Sequence, residues 1–111
     1  MNNLHLSKEA QNDLAEIKAY ITEELENPDT ALATISRITK KIRILKNQAN
    51  AGTPLSSVAD TESDYRFLVS GNYLVFYRAY GKDVYIDRVL YGRRDYMRIL
   101  FGDAQSDETD E

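Results

Sequence analysis

The sequence predicts an α+β fold, an N-terminal helix hairpin packed on an antiparallel β-meander. In the first half, Ala10, Leu14, Ile17 and Ile21 recur at 4-3-4 spacing, and Ala31, Ile35, Ile38, Ile42 and Leu45 continue the same rhythm. Each set therefore lies on one stripe of a helix. After Asp64 the period changes to two, and aromatic and β-branched residues dominate. Two glycine-centred signals, Ser70-Gly71-Asn72 and Gly81-Lys82-Asp83, cut that run into strands.

Taken in order, Asn3–Leu6 alternates polar and apolar residues and suits a short strand. Ser7 is placed to cap the first helix, whose stripe is flanked by Tyr20 and Leu25. Asn27-Pro28 interrupts the pattern, because proline disfavours the helical conformation in the residue before it. The same pair opens the second helix, with Asn27 capping and Pro28 in its first turn. Two helices of about five turns joined by a few residues lie antiparallel. Arg37, Lys40, Lys41, Arg43 and Lys46 crowd the end of the second, where they suit its macrodipole. Asn50–Pro54 ends the helical region, and the polar stretch to Asp64 reads as a loop. Strands follow at Tyr65–Val69, Tyr73–Tyr80 and Val84–Tyr91, then a short terminal helix at Asp95–Phe101. The hairpin is the only element available to cover the meander's apolar face, with Ile17, Ile21, Ile35, Ile38 and Ile42 as its core. The domain is expected to span 1–102, with an acidic disordered tail at 103–111.

A chain of 111 residues leaves room for one core. It contains no cysteine and one histidine, His5, so thiolate and multi-histidine metal sites are excluded and no cofactor is expected. No apolar run approaches the roughly 20 residues that span a bilayer, and the start lacks the features of a signal peptide. The expected location is the cytoplasm. The net charge of −4 is unevenly spread. The tail holds five acids and no base, whereas Tyr65–Gly102 carries seven bases against three acids.

The usual nucleophile–base pairs and phosphate-cradling glycine loops are missing. What remains is a basic and aromatic set, Tyr65, Arg66, Tyr77, Arg78, Tyr91, Arg93, Arg94, Tyr96 and Arg98. Arginines interleaved with aromatics suit phosphates and stacked bases, while tyrosines are also ordinary strand formers.

Several segments together resemble the RelE/ParE superfamily of toxins from bacterial type II toxin–antitoxin pairs. They are Leu6-Ser7-Lys8-Glu9-Ala10 with Asp13-Leu14 and Ile17, and Tyr65-Arg66 entering the sheet. The strongest are Gly71-Asn72-Tyr73-Leu74-Val75-Phe76-Tyr77-Arg78 and Arg88-Val89-Leu90-Tyr91-Gly92-Arg93-Arg94-Asp95. The resemblance runs from Leu4 to about Phe101 and implies a fold like that of a small microbial ribonuclease.

The superfamily hosts two activities. RelE-like members cleave mRNA in the ribosomal A site, using basic residues and a tyrosine to promote attack of the ribose 2′-hydroxyl on the adjacent phosphate. ParE-like members poison DNA gyrase and are not nucleases. On the RelE-like reading the resemblance implies Arg66, Arg94 and Tyr96 as catalytic. Arg78, Arg88, Tyr91, Arg93 and Arg98 would then contact nucleic acid or target on either reading. The RelE pattern has an arginine where this chain has Leu74, and the C-terminal histidine of YoeB-like and HigB-like members is absent. The Val75-Phe76-Tyr77-Arg78 and Arg88-Val89-Leu90 runs look like ParE, so the resemblance favours gyrase inhibition, with ribosome-dependent mRNA cleavage as the alternative. An inactive orphan that only binds a partner is a third reading. Both toxic readings imply a cognate antitoxin, in a toxin–antitoxin hetero-oligomer, and no membrane.

Overall fold

A computed structural model describes residues 1–102; the predicted acidic tail lies outside the described residues. The elements run β1 (Asn3–Leu6), α1 (Lys8–Ala19), a π-helical turn (Tyr20–Glu24), α2 (Pro28–Ile44) and β2 (Thr53–Pro54). A 3₁₀ turn (Leu55–Ser57) precedes β3 (Arg66–Ser70), β4 (Tyr73–Tyr80), β5 (Asp83–Tyr91) and α3 (Tyr96–Phe101). The helix starts are those the sequence marks. The Ser7 hydroxyl accepts the Ala10 N–H at 2.9 Å, and the Asn27 amide oxygen accepts the Thr30 N–H at 3.1 Å. Each satisfies a donor that a helix's first turn leaves without an intrahelical acceptor. Gly71 and Gly81 take a φ of +59° in the hairpin turns, a region that costs glycine little.

The meander β3–β4–β5 is antiparallel, but it is the centre of a larger sheet, ordered β1-β5-β4-β3-β2. β1 adds parallel to β5, pairing Asn3 with Asp83 through Leu6 with Ile86. Within the expected 50–64 loop, β2 pairs Thr53 with Phe67 and Pro54 with Arg66. A two-residue edge strand tolerates proline because its missing N–H is not needed there.

The hairpin covers one sheet face. Ala10, Ile38, Ile42 and Leu45 pack on Leu68, Val75, Tyr77, Val84, Ile86 and Val89. Ile21 is also buried, whereas Ile17 and Ile35 are half-buried at the edges of their helix faces. The expectation that the hairpin is the only cover needs correction. The opposite face also carries a core, Leu55, Phe76 and Leu90, closed by α3 and the 55–65 loop through Tyr65, Tyr96, Met97, Leu100 and Phe101. Strand β4 alternates Val75 and Tyr77 toward the helices with Leu74 and Phe76 toward α3, so a central strand buried on both sides reads as a nearly continuous apolar run.

Candidate functional site

A β-bulge decides where the basic residues go. Tyr77 pairs with Ile86 but Phe76 pairs with Arg88, so Asp87 is an extra residue in β5. The bulge is held by Ser7, whose hydroxyl donates to the Asp87 carbonyl at 2.7 Å. Past Ile86, β1 no longer pairs with β5, and α1 crosses the exposed edge instead. There the buried carboxylate of Asp13 accepts the Val89 N–H at 2.9 Å and both Arg88 Nε and Nη2 at 2.8 Å. The Arg88 guanidinium is thus committed to a buried bidentate pair.

Arg78 is also held internally. Its Nε donates to Asp87 Oδ2 at 2.9 Å, its guanidinium lies 5.3 Å from the centre of the Tyr65 ring, and the Tyr65 hydroxyl donates to the same Asp87 oxygen. Burial, followed by the hydrogen bond to Asp87, pushes the Tyr65 hydroxyl up to about 12. Arg66 donates to the Gly52 carbonyl at 2.8 Å and so ties β3 to the segment before β2.

The three residues expected to form a nuclease centre are not brought together. Arg66 pairs with Tyr77 and shares its helix-covered face. Tyr96 packs on Phe76 on the opposite face, ring centres 5.3 Å apart. Arg94 follows the Tyr91 end of β5, whose row on β4 is Tyr73, four residues or about 13 Å along the strand from the Arg66 row. The Arg98 backbone N–H is capped by the Asp95 carboxylate at 3.3 Å.

Tyr91, Arg93 and Arg94 stay exposed together at the end of β5. Tyr91 and Arg94 line a cleft of about 560 Å³ between the end of α1 and the sheet, with Ile17, Tyr20, Leu25 and Tyr73. Tyr20 and Leu25 are 54% and 56% exposed, which is high for residues of this size on a short chain. Tyr73 and Tyr91 meet edge to face at 5.9 Å, and burial, then the neighbouring Tyr91 and Tyr20, raise the Tyr73 hydroxyl above its usual range. Reading for charge overlooks Tyr20, Leu25 and Tyr73. Their signal was present, since Tyr20 and Leu25 are large apolar residues beside the α1 stripe rather than on it. The cleft offers aromatic and aliphatic surface with Glu16, Asn72 and Arg94 as polar lining. Such a lining suits a docked partner better than bond-making chemistry. Among the described residues no cluster of metal-ligating side chains occurs, and no helix is long and apolar enough to cross a membrane.

Comparison with known proteins gives one family. Residues 4–96 match the model described as the ParE toxin of the type II toxin–antitoxin system parDE. No curated protein matches the chain. A solved chain from the chromosomal ParDE TA system of P. aeruginosa superposes with a TM-score of 0.67 at 24% identity, covering 82% of this chain and 96% of that one. The fold is therefore shared with that structure. YafQ from E. coli strain BL21(DE3) aligns with a TM-score of 0.48 at 16% identity over 92% of this chain and 100% of its own.

Proposed function

The chain belongs to the ParE toxin family of type II toxin–antitoxin systems, and from that premise we propose that it arrests growth by inhibiting DNA gyrase. The family match over residues 4–96 carries the reading. Two features support it against ribosome-dependent mRNA cleavage. Leu74, at the position of a RelE-pattern arginine, is an apolar member of the α3-side core, and the would-be catalytic Arg66 and Tyr96 lie on opposite sheet faces. A transition state with charge on a phosphate needs its donors converged on one point. Neither Arg66 nor Arg78 has a guanidinium free of internal acceptors.

A toxin of such a system has an antitoxin as its partner. We propose that the antitoxin lays an apolar segment into the Tyr20–Leu25–Tyr91 cleft, whose aromatic walls are the kind of anchor that dominates interface energy. The deciding experiment combines plasmid supercoiling by purified gyrase with toeprinting of ribosomes programmed with mRNA. Inhibited supercoiling with trapped, broken DNA and intact mRNA is the expected result. Cleavage in the A site beside unaffected supercoiling would overturn the proposal.

A further inference from the structure

Among the basic residues, five lie on or just after α2, and they have no acidic partner among the described residues. Arg37, Lys40, Lys41, Arg43 and Lys46 are all exposed. The ion pairs among the described residues are His5–Asp83, Arg78–Asp87 and Arg88–Asp13, none of which uses them. Residues 35–48 contain these five bases and no acid, in a chain whose net charge is −4. The helix dipole accounts for part of the cluster only. Lys41 and Arg43 stand in the last turn, but Arg37 and Lys40 lie before it, where the dipole's effect has faded.

Their spacing orders them. Arg37, Lys40, Lys41 and Ile44 follow i, i+3, i+4 and i+7, one stripe of the helix, with Arg43 next to Lys40 at i+3. The stripe forms one wall of a groove of about 310 Å³ whose other wall is the β3–β4 turn at Ser70-Gly71. Gly71 puts no side chain there, and a Cβ added to it would meet nothing within 4 Å, so the wall is open backbone.

We propose that this stripe is a second binding surface, separate from the aromatic cleft, and that it takes the sugar–phosphate backbone of duplex DNA without regard to sequence. The charge along the exposed helix stripe selects that partner. A stable protein interface is centred on a buried aromatic and apolar patch, and this groove offers Ile44 as its one large apolar residue. Binding of single strands rests on aromatic stacking platforms, which its lining lacks. Exposed Arg and Lys on one helix face with a turn beside them match a row of phosphates, whose neutralisation is an electrostatic, sequence-independent interaction. The inference does not depend on gyrase being the target.

The test is fluorescence anisotropy of a labelled duplex of arbitrary sequence titrated with the full chain across a range of salt concentrations. Three phosphates neutralised by Arg37, Lys40 and Lys41 predict a log K versus log[salt] slope of roughly −3. Lys40→Ala with Lys41→Ala should flatten that slope by about 2 for every duplex sequence tried. Both positions are exposed and alanine favours helix, so circular dichroism should be unchanged. Lys8→Ala with Lys18→Ala removes the same charge from α1 and should leave the slope as it was. A slope near zero in the unaltered chain, or equal flattening by both double variants, would overturn the proposal. So would stripe-dependent capture of poly-glutamate without duplex binding, which would make the stripe a site for an acidic protein segment.

Discussion

Removing Asp13 tests whether a buried ion pair fastens the hairpin to the sheet. The Asp13 side chain is 5% exposed and that of Arg88 is 25% exposed. Asp13→Ala deletes three acceptor contacts, to Arg88 Nε, Arg88 Nη2 and the Val89 N–H. Breaking a buried pair by losing one partner costs about 3–5 kcal/mol, because the surviving charge is left uncompensated. Arg88 retains some access to water, which places the expected cost near the lower bound, at about 3 kcal/mol. For a domain of this size that corresponds to a fall in melting temperature of about 12–24 °C. Urea unfolding followed by circular dichroism gives the free energy directly. The double variant Asp13→Ala/Arg88→Met removes both charges, leaves the buried Val89 N–H unpaired, and should cost about 2 kcal/mol, less than the sum of the two single variants. The cycle should therefore show strong coupling between the two positions. A loss below about 1 kcal/mol for Asp13→Ala, or additive effects around the cycle, would refute the idea that this pair is what holds α1 on the β5 edge.

Four further outcomes follow from the packing and the hydrogen bonds. Ile38→Ala, at a fully buried site on α2, should cost roughly 2–5 kcal/mol in the same urea assay, with the exposed Leu32→Ala within about 0.5 kcal/mol as its contrast. Gly52→Ala should destabilise strongly, measured by thermal melting, since the new Cβ would lie 2.7 Å from the Tyr77 ring and hydroxyl and 2.8 Å from the Phe67 carbonyl; Tyr77→Phe, which orphans the Ala49 carbonyl and Gly52 N–H, should cost about 1–3 kcal/mol. The Tyr65 hydroxyl sits at about 12 in the folded chain against 10.0 for a free tyrosine, so its contribution to stability is complete below pH 10 and is lost as pH rises toward 12. Unfolding free energies across that window should fall less steeply in Tyr65→Phe, and identical slopes would show that burial and the Asp87 contact do not raise this hydroxyl's titration.

Local signals carried much of the design. Ser7, Asn27 and Pro28 mark helix starts because capping involves residues three apart, and the two apolar stripes declare their faces because helical periodicity is a property of neighbours. Gly71 and Gly81 mark the hairpins for the same reason, since a turn is settled within four residues. The family resemblance was also legible, because it rests on ordered short segments. The arginines were not. Nothing near Arg88 in the chain says that Asp13, 75 positions earlier, will claim it, and nothing near Arg66 points to the Gly52 carbonyl. The bulge at Asp87 is equally invisible, yet it moves Val89 rather than Arg88 onto the helix-covered face, since one extra residue reverses the alternation of a strand. The parallel addition of β1 to β5 and the second core beneath α3 depend on which distant apolar surfaces meet. Composition thus determined that bases and aromatics would be abundant in the sheet half. Only tertiary pairing decided which of them are spent inside the fold and which, like Tyr91, Arg93 and Arg94, remain on the surface, because a buried guanidinium must find a partner acceptor wherever the chain brings one.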